Sequence, residues 1–334
     1  MKIVFFDIQG WEKKYIDKEL KGHKVVLFKE PLNSETVKAA KDANIVSVFV
    51  KSKIDKEVLK KMPKLKMIVT RSTGFDHIDV KACKKKKINV TYIPSYGENT
   101  VAEHAFALIL SMSRNIYKAT LKMRNEDFTI DESLKGFDLK GKTLGVVGAG
   151  KIGTNIIRMA KGFDMNVCVY TRHPKPEMAK EMGFKFTKSL KELLGQSDII
   201  TLHVPYNKET HHMINKKSIK WIKKGARLIN TARGGLVDND ALIEALDKGI
   251  ISEIGVDVLE TEELLFGNRQ SLFDLKKSKM FNELIKDYNL MHRPNVLFTP
   301  HMAFYSEEAL VRIIKTTIQN IHAFLAKKPI NLVK

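Results

Sequence analysis

Three short segments of this 334-residue chain carry side chains suited to reducing a carbonyl group. Asn230-Thr231-Ala232-Arg233-Gly234-Gly235 offers a guanidinium, Val256-Asp257-Val258-Leu259-Glu260-Thr261-Glu262 offers carboxylates, and Thr299-Pro300-His301 offers an imidazole. Reduction of a 2-oxo acid needs a cation to fix the substrate carboxylate and polarise the ketone. Arginine suits this because its planar fork binds planar anions through two hydrogen bonds. The developing alkoxide needs a proton donor, and histidine titrates in the right range. A carboxylate beside that histidine favours its charged form and orients the ring. Taken singly, each residue has a plain reading: a surface Arg233, an N-capping Asp257, a His301 at the edge of a core. Jointly, and downstream of the turn described next, they point to chemistry.

That turn is Gly148-Ala149-Gly150-Lys151-Ile152-Gly153, which follows the strand-like Thr143–Val147 and opens a helical stretch. This is G-x-G-x-x-G in the strand–turn–helix setting that dinucleotide binding requires. Gly148 permits the tight turn, Gly150 lets a pyrophosphate approach the backbone, and Gly153 lets helix and strand pack closely. The free N–H groups of the helix start then face the phosphate. The next strand is expected to end in an acidic residue that holds the ribose 2′-hydroxyl. It ends instead in Val169-Tyr170-Thr171-Arg172, with no carboxylate. An arginine there can meet a 2′-phosphate, so the expected cofactor is NAD(H) or NADP(H), with a lean towards NADP(H) tolerance. The competing reading leaves Arg172 facing solvent in an enzyme that uses NAD(H).

The elements that must position these groups alternate along the chain. Strand candidates Ile3–Phe6, Val25–Phe28, Ile45–Phe49, Met67–Thr70 and Ile88–Tyr92 are separated by helical stretches near Trp11–Leu20, Ser34–Lys41, Lys56–Lys61 and Ile78–Lys84. A second series has strands Thr143–Val147, Asn166–Tyr170, Ile199–His203, Arg227–Asn230, Ile254–Val258 and Val296–Thr299. Such alternation predicts α/β architecture: two doubly wound parallel-sheet domains. Ser189 with Glu192, and Thr100 with Glu103, have the spacing of capping boxes. The helix after Thr100 is apolar on most sides and is expected to be buried. A last helix near Glu307–Leu325 follows after the second series has used its strands. The expected division is therefore residues 1–99, the first part of a substrate domain; 100–299, the cofactor domain; and 300–334, a return segment completing the first.

Bulk properties exclude other classes. The chain has no run of about 18 apolar residues, so no membrane helix is expected. Its two cysteines, Cys83 and Cys168, argue against a disulfide framework and for a reducing, cytoplasmic setting. The net charge of +20 comes mainly from lysines spread along the whole sequence. It is read as a solubilising coat that also attracts anionic ligands rather than as a nucleic-acid surface, because no zinc-finger or aromatic-basic pattern accompanies it. Lys84-Lys85-Lys86-Lys87, the longest basic run, falls at a helix end, where cations suit the dipole. His203, His211 and His212 lack the cysteine or carboxylate company of a metal site, so no metal is expected.

The chain resembles the D-isomer-specific 2-hydroxyacid dehydrogenase family over essentially its whole length. The stretches that carry the resemblance are Ser72-Thr73-Gly74-Phe75-Asp76-His77-Ile78-Asp79, Asn99-Thr100-Val101-Ala102-Glu103-His104, the glycine turn, Leu202-His203-Val204-Pro205, Asn230 to Gly235, and Thr299-Pro300-His301. The resemblance implies a flavodoxin-like substrate domain and a Rossmann cofactor domain. It also implies that Arg233 grips the substrate, that His301 is the acid/base and that Glu262 pairs with His301. Backbone N–H groups around Thr73 and Gly74 would hold the substrate carboxylate. Asp257 would bind the nicotinamide carboxamide, and Thr231, Ala232, Val204, Pro205 and Thr210 would line the cofactor site. Ile93-Pro94-Ser95-Tyr96 and the segment from Glu262 to Leu275 look most like the D-lactate dehydrogenase branch, in which a tyrosine at Tyr96 faces the substrate. Two departures stand out: no acid at Thr171, and Glu263 with an expanded stretch to about Pro294 where many relatives have a proline. The implied activity is hydride transfer between a nicotinamide dinucleotide and a small 2-oxo or D-2-hydroxy acid, in a homodimer. Glyoxylate or hydroxypyruvate reduction, or a non-catalytic NAD(H)-sensing regulatory role, are the alternatives.

Overall fold

The computed structural model describes residues 1–262 and 279–333. The chain divides into two compact units, Met1–Gly97 with Ser306–Lys334, and Glu98–Tyr305.

The first unit is built on β1 (Lys2–Phe5), β2 (Lys24–Leu27), β3 (Ile45–Val48), β4 (Met67–Thr70) and β5 (Asn89–Thr91), all parallel, in the order β2-β1-β3-β4-β5. Successive side chains on a strand point to opposite faces, so a sheet covered on both sides reads as a mainly apolar run rather than an alternating one. Val4 and Phe6 pack on one face with Val46, Ile68 and Leu59, while Ile3 and Phe5 pack on the other with Ile16, Ile314 and Ile318. Helices α1 (Lys13–Glu19), α2 (Lys56–Lys60) and α3 (Val80–Lys85) cover the sheet together with the C-terminal helix Glu307–Leu325, which supplies Ile314, Ile318 and Ile321 to the same core as α1. Ser306 caps that last helix by accepting from Ala309 N at 3.2 Å.

The second unit opens with α4 (Glu98–Ser113) and α5 (Ile116–Arg124) and then winds a parallel sheet. Its strands are β6 (Thr143–Val147), β7 (Asn166–Tyr170), β8 (Lys185–Phe186), β9 (Ile199–Leu202), β10 (Ala226–Asn230), β11 (Ile251–Val256) and β12 (Val296–Phe298), in the order β12-β11-β10-β9-β6-β7-β8. The chain winds outwards from β6 in one direction and resumes at β9 in the other. The topological switch point, where open α/β sheets bind ligands, therefore lies between β6 and β9. Helices α6 (Lys151–Gly162), α7 (Pro176–Met182), α8 (Leu190–Gln196), α9 (Asn239–Asp247) and α10 (Lys279–Met291) complete the described helices of this unit. Two parallel α/β sheets are thus present, as the alternating pattern predicts.

Several elements differ from the sequence expectation. The helix expected near Ser34–Lys41 is only a 3-10 segment, Thr36–Ala40. Asn33 Oδ1 accepts from Glu35 N at 2.9 Å and Thr36 N at 3.0 Å, and this side-chain turn competes with a regular helix start. The stretch near Trp11–Leu20 likewise begins as a 3-10 turn, Gly10–Glu12, before α1. The two-residue β8 was not anticipated. Helix α4 starts at Glu98, so Thr100 lies buried inside its first turn instead of preceding it, and Glu103 Oε1 accepts from Asn99 Nδ2 at 3.0 Å. Ser189 does cap α8, accepting from Glu192 N at 3.1 Å while Glu192 accepts from Lys188 N at 2.8 Å.

Candidate active site

The C-terminal edge of β6 is where the glycine turn forms. Gly148 has φ +101°, a region that side-chain-bearing residues rarely adopt, and a Cβ there would lie 2.5 Å from the carbonyl oxygen of His203. A Cβ on Gly153 would lie 2.0 Å from the carbonyl oxygen of Gly148, so helix and strand meet backbone to backbone. Gly150, the N-cap of α6, is different: a Cβ there would meet nothing within 4 Å. The protein's own packing thus explains the first and third glycines but not the second. A pyrophosphate passing close to the helix N-terminus would explain it, so these residues fit a dinucleotide. Lys151 pairs with Glu98, 3.1 Å away, and Ile152 packs into the core beside α4 and α6.

Both flanks of β6 carry expected cofactor residues. On one side Gly148 N donates to Tyr170 O at 2.8 Å, which sets Thr171 and Arg172 beside the turn. Arg172 Nη1 donates to Glu209 Oε2. On the other side His203 N donates to Val147 O at 2.8 Å, and the chain continues through Val204 and Pro205. Thr210 Oγ1 donates to Pro205 O at 2.7 Å and accepts from Asn207 N at 2.9 Å, closing a compact turn. His203 Nε2 meets Thr201 Oγ1 at 2.8 Å, and burial pushes its imidazole down to about 3. Thr231 Oγ1, just past β10, is buried and has no hydrogen-bond partner among the described residues.

The three chemistry-bearing segments leave β10, β11 and β12 at the same edge. Asn230 secures the first, its Nδ2 donating to Arg233 O at 2.8 Å and its Oδ1 accepting from Ala232 N at 3.0 Å. The half-buried Arg233 donates from Nη1 to Ala232 O at 2.7 Å. A Cβ on Gly234 would fall 2.1 Å from Leu259 C and 2.3 Å from Glu260 N. Only glycine lets the β10 segment lie directly against the β11 segment. His301 Nδ1 lies 2.8 Å from Glu262 Oε1, with 26% and 21% of the two side chains exposed. His301 has φ +51° and is held there by its N–H, which donates to Asp257 O at 2.8 Å and Thr299 O at 2.9 Å. Such a conformation costs a non-glycine residue about 1–3 kcal/mol and persists where surrounding structure imposes it.

Asp257 is the source of that imposition. It is fully buried, and its carboxylate accepts from Thr299 Oγ1 at 2.5 Å, Met302 N at 2.9 Å and Ala303 N at 2.8 Å. With both oxygens so engaged, it is better suited to holding the His301 segment than to reaching a carboxamide, the role the resemblance implies.

In the first unit Thr73 Oγ1 donates to Ile93 O at 2.8 Å, and Ser72 Oγ donates to Gly74 O at 2.6 Å. Tyr96 is half-buried, and its carbonyl accepts from Arg312 Nε of the last helix.

Four supporting residues were given no role by the sequence. Arg71, 2% exposed, donates from Nη2 to Phe6 O and Asp7 O, both at 2.8 Å, and from Nη1 to Ser47 Oγ at 3.1 Å. It thereby ties the ends of β1 and β3 beneath the segment bearing Thr73. Burial raises the Asp7 and Glu12 carboxyls around it, opposed by the Arg71 charge. His104 Nε2 meets Thr299 Oγ1 at 2.9 Å; since that hydroxyl donates to Asp257, the histidine is the donor. Asp287 of α10 is buried and accepts from Thr261 N at 2.9 Å, Thr261 Oγ1 at 2.5 Å and Asn239 Nδ2 at 2.9 Å, pinning the residue before Glu262. Burial raises its carboxyl. His212 Nε2 lies 2.8 Å from Glu260 Oε1, with His211 stacked on it at 3.8 Å. The one available signal was a polar residue inside an apolar pattern, which Arg71 and His104 share. Glu263 and the expanded stretch as far as residue 278 lie outside the described residues.

Comparison with known proteins places this arrangement. The model of the D-isomer specific 2-hydroxyacid dehydrogenase NAD-binding domain matches residues 106–303. The chain is 38% identical over 329 residues to a 2-hydroxyacid dehydrogenase homolog of Zymomonas mobilis, covering 96% of each. It is 35% identical over 325 residues to the D-lactate dehydrogenase of Escherichia coli, again covering 96% of each. The crystal structure of D-lactate dehydrogenase from Aquifex aeolicus, complexed with NAD and lactic acid, superposes with a TM-score of 0.86 at 39% identity, over 98% of this chain and 96% of that one. The chain belongs to the D-isomer specific 2-hydroxyacid dehydrogenase family, within its D-lactate dehydrogenase branch. It is an NAD-dependent oxidoreductase acting on CH–OH donors, a 2-oxo acid reductase. Among the described residues no helix is long and apolar enough to cross a membrane.

Proposed function

We propose that this protein reduces a small 2-oxo acid of pyruvate size to its D-2-hydroxy acid, with Arg233, Glu262 and His301 as its working groups. The observation that carries this reading is the 2.8 Å contact between His301 Nδ1 and Glu262 Oε1, on segments that share one sheet edge with the Arg233 loop and the glycine turn. When bound, reduced nicotinamide supplies the hydride. Glu262 accepts from Nδ1–H, which leaves Nε2 as the ring atom that gives its proton to the substrate oxygen. Arg233 neutralises the substrate carboxylate and the charge growing on that oxygen. Thr73, Gly74 and Tyr96 are the proposed substrate contacts. Gly148, Gly150, Lys151, Ile152, Gly153, Val204, Pro205, Thr210, Thr231 and Ala232 are the proposed cofactor contacts. Asp257 serves by fixing the His301 segment.

The absence of an acid at Thr171, with Arg172 beside it, supports tolerance of NADP(H) alongside NAD(H). The buried free thiols Cys83 and Cys168 suit a cytoplasmic protein. A homodimer through the second unit is favoured by the exposed apolar side chains of α5 and the segment after it, Ile116, Tyr117, Met123, Phe128 and Ile130.

Steady-state assays of pyruvate, glyoxylate, hydroxypyruvate, and branched and aromatic 2-oxo acids with NADH test the substrate class. Pyruvate is expected to have the highest kcat/KM, with His301→Asn and Arg233→Ala each lowering it by at least about a hundredfold. A clear preference for another 2-oxo acid overturns the substrate reading. Near-normal turnover in either variant overturns the residue assignment.

A further inference from the structure

The two flanks of the glycine turn are joined by a charge pair that the reading above leaves unused. Arg172 follows the end of β7, and Glu209 sits in the turn after β9; their side chains meet although both are largely exposed, at 58% and 67%. Flexible surface pairs are common, but Glu209 is not carried on a floppy segment. Asn207 Oδ1 accepts from Glu209 N at 2.8 Å and Thr210 N at 3.2 Å, while Thr210 Oγ1 bonds Pro205 O at 2.7 Å and Asn207 N at 2.9 Å. These bonds fix the backbone of a tight polar turn. The strand on each side is tied to β6, through Gly148 N to Tyr170 O and His203 N to Val147 O, both at 2.8 Å. The carboxylate of Glu209 is therefore held, from the opposite flank, against the guanidinium of Arg172, which directly follows the position where a dinucleotide fold ordinarily carries its own acid.

We propose that Glu209 supplies the carboxylate that Thr171 does not, and that its hold on Arg172 sets the selectivity between NADH and NADPH. The proposal rests on the dinucleotide reading of the glycine turn. A ribose 2′-hydroxyl is neutral and can donate to a carboxylate. A 2′-phosphate is close to a dianion, must compete with Glu209 for Arg172, and is repelled by Glu209 when both share that guanidinium. For a dianion about 6 Å from one carboxylate at the dielectric constant of water, Coulomb's law corresponds to about a tenfold change in Kd. Because the pair is exposed, salt is expected to reduce the effect.

The test measures Kd for NADH and for NADPH on the apoprotein, by nicotinamide fluorescence and calorimetry, for wild type, Glu209→Gln, Arg172→Ala and the double variant. Glu209→Gln is expected to tighten NADPH about tenfold at low salt and to leave NADH equal or weaker. Arg172→Ala is expected to weaken NADPH, and in the double variant the gain from Glu209→Gln is expected to be smaller than in the single one, because only the direct repulsion remains to be relieved. An unchanged NADH-to-NADPH ratio in Glu209→Gln, or a gain as large in the double variant as in the single one, overturns the proposal. Failure of wild type to bind either cofactor overturns the dinucleotide reading instead.

Discussion

Replacing Asp257 by asparagine asks whether the His301 segment is held by this one carboxylate. The change keeps size and shape and leaves Oδ1 able to accept from Thr299 Oγ1 and Met302 N, but it turns an N–H towards Ala303 N, which now donates to Oδ2 at 2.8 Å. A hydrogen bond to a charged acceptor contributes about 1.5–3 kcal/mol, and a buried donor left facing a donor costs about 1–3 kcal/mol more. A loss of about 4 kcal/mol is therefore expected, a large share of the 5–15 kcal/mol typical of a folded protein. Urea denaturation should show it as an earlier midpoint. Catalysis should suffer separately. His301 sits at φ +51° and relaxes once its neighbours loosen, and misplacement by about 1 Å can cost about a hundredfold in rate. The expected variant has kcat 10- to 100-fold down with a far smaller change in the Kd for NADH. Unaltered stability and kcat would refute the reasoning outright. A loss of NADH affinity as large as the loss of kcat would restore a direct cofactor contact for Asp257.

Gly150→Ala should melt like wild type, since a Cβ there meets nothing within 4 Å, yet bind NADH at least about tenfold more weakly by calorimetry; wild-type affinity would remove the pyrophosphate from this turn. His203 gives a pH dependence. Its ordinary value of 6.5 falls to about 3 in the folded chain, so below pH 6.5 the unfolded chain takes up a proton that the folded chain refuses. Stability is thus lost as pH drops from 6.5 towards 3, while the raised Asp7, Glu12 and Asp287 carboxyls act in the opposite sense. The melting temperature of His203→Gln should fall less than that of wild type between pH 7.5 and 5; parallel falls would contradict this. Asp287→Ala should cost about 2–4 kcal/mol and speed hydrogen exchange across Asp257–Glu262. Unchanged exchange there would show that α10 does not brace that segment.

Much of this was legible because the signals were local. β4, β6 and β7 run over the residues their apolar runs predict, bounded by turn residues. The glycine turn was legible because its spacing states a backbone requirement. What escaped was set by tertiary context. The two-residue β8 carries no periodicity, and Asn33 stops a helix through hydrogen bonds that a pattern of apolar residues does not encode. Arg71, His104 and Asp287 are polar groups whose partners lie 24 to 195 residues away, so the sequence beside them does not show what they hold. The missing acid at Thr171 and the arginine after it were visible, but the partner of Arg172, Glu209, sits 37 positions on, behind a turn whose geometry only the fold supplies.

The abutment of Gly234 on Leu259 and Glu260, with Asp257 clasping the chain from Thr299 to Ala303, makes three loops into one solid piece. Thermal jostling of that piece carries the guanidinium, the carboxylate and the imidazole along together. Whatever shifts one of these loops must shift the other two, so the Arg233 segment and the His301–Glu262 contact are adjusted together rather than singly.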